Sequence, residues 1–279
     1  MHSASIKVGW PPDPRLNVDS IFVHARLKVY NARVHTHNLS VQWETWVKHH
    51  ANVIAGIEPK RPNLTYNLVN IPIPAQCVLA LGDAIHNIRA TLDYLISALA
   101  RAANLSDASA SFPMNEKRAR VEAALAPLKP SNKSKKEATT RKLLGHYPDL
   151  EHIIVDVIRP YHIDDGGSAI GDLLYRIGNA DNIDKHRLLA PSVSVAHAQE
   201  ATFITPTGGT IRMTGFRLIG GPAFDFGDAK PHPENDIAFD MCFSEPTLLA
   251  DRPMMSTLIE ACEAADKVIE IFEANFEGK

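Results

Sequence analysis

The chain has 279 residues, of which 45% are apolar and 22% charged, a composition that excludes a disordered chain, a collagen-like repeat and a coiled-coil rod. Lys and Arg number 29 against 32 Asp and Glu, a formal net charge of −3, so no global basic excess draws nucleic acid and any such binding must use a local patch. No window approaches the roughly 18 apolar residues of a membrane span, and the N-terminus lacks a signal-like apolar stretch, so no membrane partner is expected. The cysteines Cys77, Cys242 and Cys262 are scattered and odd in number, with no CxxC spacing, so neither a disulfide framework nor a zinc knuckle is expected and a reducing cytoplasm is the expected compartment.

Residues 1–14 are Pro-rich and read as an extended arm. Apolar positions recur at helical intervals over 15–50, which predicts one long helix. Segments 51–57 and 64–71 are rich in β-branched residues and read as a β-hairpin. Pro72 and Pro74 punctuate the chain before a helix over 75–103. Phe112 to Met114 form an extended connector, and short helices are predicted over 116–128 and 148–161. Between them, 129–142 is a basic, polar loop or helix start. Gly166 and Gly167 precede a helix over 169–189.

The pattern then changes. Segments 192–196, 201–205, 210–214, 223–226 and 236–243 are β-rich, and Gly208-Gly209 and Gly220-Gly221 supply turns. An amphipathic helix over 255–276 closes the chain. The expected fold class is α+β: mainly a helical bundle, with a small antiparallel sheet between the last two long helices. It is expected to form one integrated domain over 1–279, with 192–244 as a β-rich insertion.

The helix over 75–103 carries the most informative string. At about 100° per residue, Gly82, His86, Arg89 and Asp93 fall in one narrow stripe beside the apolar Ile85, Ile88, Leu92 and Ile96. Ionisable groups at a core boundary are costly unless paired, and Arg89 and Asp93 stand at i,i+4, where they can pair. His86 needs a partner from elsewhere. On the helix over 169–189, Tyr175, Asn179, Asn182 and His186 share one face, and Asp181, Lys185 and Leu188 share another. The expectation is that the His86 and His186 faces meet. Imidazole titrates near neutrality, so the two histidines would serve as acid and base.

The string from Gly82 to Leu95, GDAIHNIRATLDYL, resembles the GDxxHNxRxxLDxL signature of a widespread family of uncharacterised bacterial proteins, and 181–188, DNIDKHRL, resembles its second signature. Phe112-Pro113, the stretch from Ile158 to Tyr161 and the C-terminal amphipathic helix keep that family's order. At the level of fold the chain resembles HEPN domains. That resemblance implies a helical bundle, often dimeric, and metal-free RNA cleavage by an Arg and a His spaced R-x4-6-H. Arg141 and His146 have that spacing here, whereas Arg176 and His186 stand further apart.

Other chemistry is also encoded. Asp83 and His86 stand at i,i+3, the spacing of the ExxH ligand pairs of di-iron bundles, so Asp83, His86, Asp93 and His186 are an alternative ligand set for a divalent metal. The run from Lys129 to Lys142, including Lys135 and Lys136, holds six basic residues and one acid and suits a phosphate backbone. No Walker A, GxGxxG or GxSxG string is present.

The leading expectation is therefore a HEPN-like protein acting on RNA without a metal. His86 and His186 would be acid and base, Arg89 would face the phosphate, Asp93 would orient Arg89, and Asn182 would position a reacting group. Tyr175, Asn179, Lys185, Lys135 and Lys136 would bind substrate, and a homodimer is compatible with the bundle. A small-molecule enzyme using Asp83, His86, Asp93 and His186 is the alternative. A non-catalytic interaction module with structural polar stripes is the third reading.

Overall fold

The computed structural model describes residues 19–54, 73–107, 110–126, 139–185, 191–219, 230–231, 238–243, 249 and 252–278. The chain is mostly helical. Its long helices are α1 (Val23–Ile54), α2 (Ala75–Ala102), α6 (Ala169–Asp184) and α7 (Met254–Phe276). Shorter ones are α3 (Arg118–Leu125), α4 (Thr139–Leu143) and α5 (Leu150–His152), the last continued by a π-helical segment, Ile153–Ile158. No helix among the described residues is long and apolar enough to cross a membrane.

The chain divides into two compact units. The first takes in α1 from His37, α2 up to Ala80, the strands, and α7 up to Thr257. Its strands are β1 (Pro191–Ile204), β2 (Thr210–Ile219), β3 (Lys230–Pro231) and β4 (Ala238–Phe243). β1 pairs antiparallel with β2 from Val195 opposite Ile219 to Ile204 opposite Thr210. It also pairs with β4, from Pro191 opposite Phe243 to His197 opposite Ala238, with an irregularity between Ser192 and Val195. The β1–β2 turn needs a glycine at Gly208, whose φ is +81°, and closes with Thr205 N donating to Gly209 O at 2.8 Å. On α1, the rings of Trp43 and Trp46 stack at 5.0 Å.

The second unit takes in α1 up to Thr36, α2 from Leu81, everything from there to Leu188, and α7 from Leu258. Its core grows from helical periodicity. Phe22, Ala25, Val29 and Ala32 on or just before α1, Leu81, Ile85, Ile88, Leu92 and Leu95 on α2, and Leu258, Ala265, Ile269 and Phe272 on α7 are all buried. Phe272 anchors an aromatic cluster: Phe22 lies edge-on at 6.0 Å, Phe112 at 6.1 Å and Phe276 at 5.3 Å. At the rim, Arg26 on α1 pairs with Glu273 on α7, Nε to Oε1 at 2.8 Å, and Arg33 pairs with Asp266.

Helix ends follow local chemistry. α2 stops in a Schellman motif: Asn104 takes a left-handed φ of 54°, Leu105 N donates to Ala100 O at 2.8 Å, and Asn104 N donates to Arg101 O at 3.0 Å. α6 starts at the N-cap Ser168, whose Oγ accepts from Gly171 N at 2.8 Å and donates to Ile158 O at 2.6 Å. That second bond docks α6 on the end of the π-helical segment, where Arg159 caps the turn at φ +54°. Tyr161, fully buried, donates its hydroxyl to Val155 O at 2.9 Å. Tyr161→Phe leaves that carbonyl short of a partner and is expected to cost about 1 kcal/mol, read by urea denaturation.

Some boundaries differ from those the sequence predicts. Residues 51–54, expected in a strand, continue α1. Extending an existing helix adds one hydrogen bond per residue, which outweighs the weak β preference of Val53 and Ile54. The rest of that predicted hairpin lies outside the described residues, as do 127–138 with Lys135 and Lys136. Thr139 and Thr140, placed by sequence in a polar loop or helix start, are buried in α4, with their hydroxyls on Ser106 O and Ser111 O. β1 is one continuous strand where two short ones are predicted.

Cys77, Cys242 and Cys262 are buried, and none is in a disulfide. Burial pushes the Cys262 thiol up to about 12 and raises that of Cys77. The thiolate is the reactive form. The native protein is therefore expected to resist iodoacetamide under conditions that alkylate all of its cysteines after denaturation, as counted by mass spectrometry.

Candidate functional site

Within the second unit α2 and α6 pack antiparallel, and three contacts set the alignment. Near the start of α2, a Cβ added at Gly82 would stand 2.6 Å from Asp184 Oδ2. One turn on, His86 Nδ1 lies 3.1 Å from Asp181 Oδ1. Further along, a Cβ added at Gly178 would stand 3.6 Å from Arg89 Cδ. Numbers rise along α2 as they fall along α6. Gly82 and Gly178 are small because side chains from elsewhere in the unit fill the space beside their backbone.

His86 and Asp181 form the centre of the site. The Asp181 side chain is only 2% exposed, whereas that of His86 is 54% exposed. Asp181 presents one oxygen to His86, and Lys185 Nζ, from the C-cap of the same helix, stands 2.6 Å from the other. The Lys185 side chain is half exposed. A carboxylate buried this deeply is costly without partners, and the Lys185 ammonium supplies a counter-charge and the His86 ring a polar contact. Because Nδ1 faces the carboxylate, it carries the ring proton when His86 is neutral, which leaves Nε2 as a lone pair. An imidazole oriented in this way by a carboxylate can accept a proton at Nε2.

Arg89 and Asp93 pair at 3.0 Å, at the i,i+4 spacing read from the sequence. Together they clamp one residue of the connector. Arg89 donates to Phe112 O at 3.2 Å, and Asp93 Oδ1 accepts from Phe112 N at 2.8 Å. Burial raises the Asp93 carboxyl above the usual carboxylate range, opposed by Arg89 and by the Phe112 N–H. The pair thus satisfies the backbone of Phe112, a fully buried core residue, and holds the connector on α2.

The sequence-predicted residues are placed as follows. The face of α6 that meets His86 carries Asp181 and Lys185, a departure from the expected meeting with the Asn182 and His186 face. His186 lies outside the described residues. Asn182 is exposed, Asn179 and Tyr175 are half-buried, and among the described residues none of the three hydrogen-bonds to His86. Tyr175 has its hydroxyl pKa raised, first by burial and then by Glu116. Asp83 points to α1, where its Oδ2 is 3.7 Å from His35 Nδ1. It therefore diverges from His86 and Asp93, and among the described residues no three His, Cys, Asp or Glu side chains are grouped to hold a metal ion.

Asp181 is the site residue that sequence reasoning passed over. Its i,i+4 relation to Lys185 was the available signal, but it reads equally well as an exposed pair on a solvated helix. No protein-family model matches the chain, and no curated protein or solved structure matches it either.

Proposed function

We propose that the chain cleaves RNA by acid–base catalysis centred on His86. The observation that carries this reading is a solvent-open imidazole seated on a buried carboxylate. RNA brings its own nucleophile. The 2′-oxygen attacks the adjacent phosphorus, the bond from phosphorus to the 5′-oxygen breaks, and the products are a 2′,3′-cyclic phosphate and a 5′-hydroxyl. The protein must remove a proton from the 2′-hydroxyl, deliver one to the departing oxygen and offset charge on the non-bridging oxygens.

His86 Nε2 takes the first proton, and Asp181 offsets the imidazolium charge that results. Asp181 touches no reacting atom in this scheme and is a positioning residue. The half-exposed Lys185 ammonium sits on the same carboxylate and faces the phosphate charge. His186, one residue further, is the proton donor in this reading, and Lys135 and Lys136 hold the flanking backbone. Arg89 and Asp93 act through the Phe112 connector. The reading is of a HEPN-like bundle working on RNA in the cytoplasm, with strands between its last two long helices.

The test is incubation with a labelled single-stranded RNA in EDTA, followed by end-group analysis. Cyclic-phosphate and 5′-hydroxyl ends, lost in His86→Ala, are expected. Intact RNA, or cleavage that His86→Ala leaves unchanged, overturns the proposal.

A further inference from the structure

Most cations of the second unit that meet a neighbouring side chain meet a carboxylate. Arg26 has Glu273, Arg89 has Asp93, Arg118 has Glu122 and Asp156, and Lys185 has Asp181. Lys28 on α1 does not. Its Nζ donates to Asn87 Oδ1 at 3.3 Å and stands 5.7 Å from the centre of the Tyr94 ring. Among the described residues no carboxylate pairs with it. An amide oxygen and a ring face orient an ammonium without neutralising it. Asn87 is itself fixed, because it is buried and its Nδ2 donates to Asp83 O at 2.8 Å, which aims Oδ1 at Lys28.

The ammonium has three donors, and Asn87 takes one. His24, one turn earlier on α1, lays its ring against the same Tyr94 at 6.1 Å and is exposed. A half-buried, pre-oriented cation with open donors beside an accessible imidazole suits a compact oxyanion better than an apolar or cationic ligand. This stripe of α2, Asp83, Asn87 and Tyr94, is distinct from the stripe that carries His86.

We propose that Lys28, with His24 beside it, forms an anion subsite that takes a phosphate group. The phosphate is free inorganic phosphate or one in a nucleic-acid backbone; only the second source rests on the RNA reading above.

The experiment titrates the full chain with inorganic phosphate and follows the Lys28 and His24 side-chain resonances by NMR. A saturable shift in the wild type and in His86→Ala, absent in Lys28→Met and Lys28→Gln, is expected. Both substitutions keep most of the stem packing and remove the charge. No saturable shift in the wild type, or an unchanged one in the folded Lys28 variants, overturns the subsite. A second arm measures binding of a 2′-O-methyl oligoribonucleotide, which resists cleavage. If the backbone is the source, Lys28→Met weakens binding about tenfold and lowers the salt dependence by about one counterion. If oligonucleotide affinity is unchanged while the phosphate response is lost, the subsite stands with free phosphate as its ligand. A wild type that binds phosphate through Lys28 but cuts no RNA keeps the subsite and removes the cleavage reading.

Discussion

His86→Ala is expected to lower the rate of RNA cleavage by about 10²- to 10⁴-fold, the usual contribution of a positioned acid–base group, while the fold survives. The side chain is 54% exposed, so little packing is lost on truncation. Asp181 keeps Lys185 as a counter-charge, so its carboxylate is not left alone in the interior. Circular dichroism and a melting temperature close to that of the wild type should accompany the loss of rate. A large fall in melting temperature with no rate to lose would instead make the polar stripe a structural device.

Asp181→Asn separates the two roles more finely. The amide keeps the shape of the carboxylate but carries no charge and turns donors toward its neighbours. Nδ1–H of His86 is then no longer held by an anion, and the imidazolium formed during proton transfer loses its stabilising partner. The expected signature is a fall in kcat with KM nearly unchanged, because Asp181 touches no substrate atom in this scheme. A fall confined to KM would place Asp181 in substrate binding and defeat the positioning role.

A large expected effect on stability lies elsewhere, at Gly171. A Cβ at this position would stand 2.0 Å from Arg159 O and 2.5 Å from Ile158 O. Both are backbone oxygens, and neither can swing aside as a side chain would. Relief requires α6 to lift off the end of the π-helical segment. That motion breaks the bond from Ser168 Oγ to Ile158 O and disturbs the left-handed turn at Arg159. Gly171→Ala is expected to cost about 3 kcal/mol, at the upper end for overpacking. At ~2–4 °C per kcal/mol for a chain of this size, the melting temperature should fall by roughly 6–12 °C in calorimetry. Gly82→Ala is the internal comparison. Its Cβ would meet Asp184 Oδ2 at 2.6 Å, but a carboxylate can rotate, so about 1 kcal/mol is expected. Equal losses at the two positions would show that the backbone contact at Gly171 is not the cause.

What is legible in the sequence about this protein is mostly local. The helical stripe of α2 and the Arg89–Asp93 pair follow from a period of 3.6 and from i,i+4 geometry, and both are present. Ser168 as the start of α6, by contrast, depends on a capping bond three residues long that composition alone did not single out. The difference at the end of α1 has a simple origin. Val53 and Ile54 favour strands as isolated residues but sit where a helix can simply continue.

The site was half legible. Helical periodicity puts His86, Arg89 and Asp93 on one stripe of α2 and polar groups on two faces of α6. Which face of α6 meets α2 is set by packing between distant segments. Adjacent residues on a helix differ by about 100°, so turning α6 by one position exchanges Asp181 for Asn182. Both faces are polar and can satisfy an imidazole, so periodicity cannot choose between them. The choice rests on contacts far apart in sequence. His86 and Asp181 are 95 residues apart, and Lys28 and Asn87 are 59 apart. Packing of Gly82 against Asp184 and of Gly171 against Arg159 fixes the rotation and height of α6. These are excluded-volume constraints between distant backbone segments, and no local pattern of residue types expresses them.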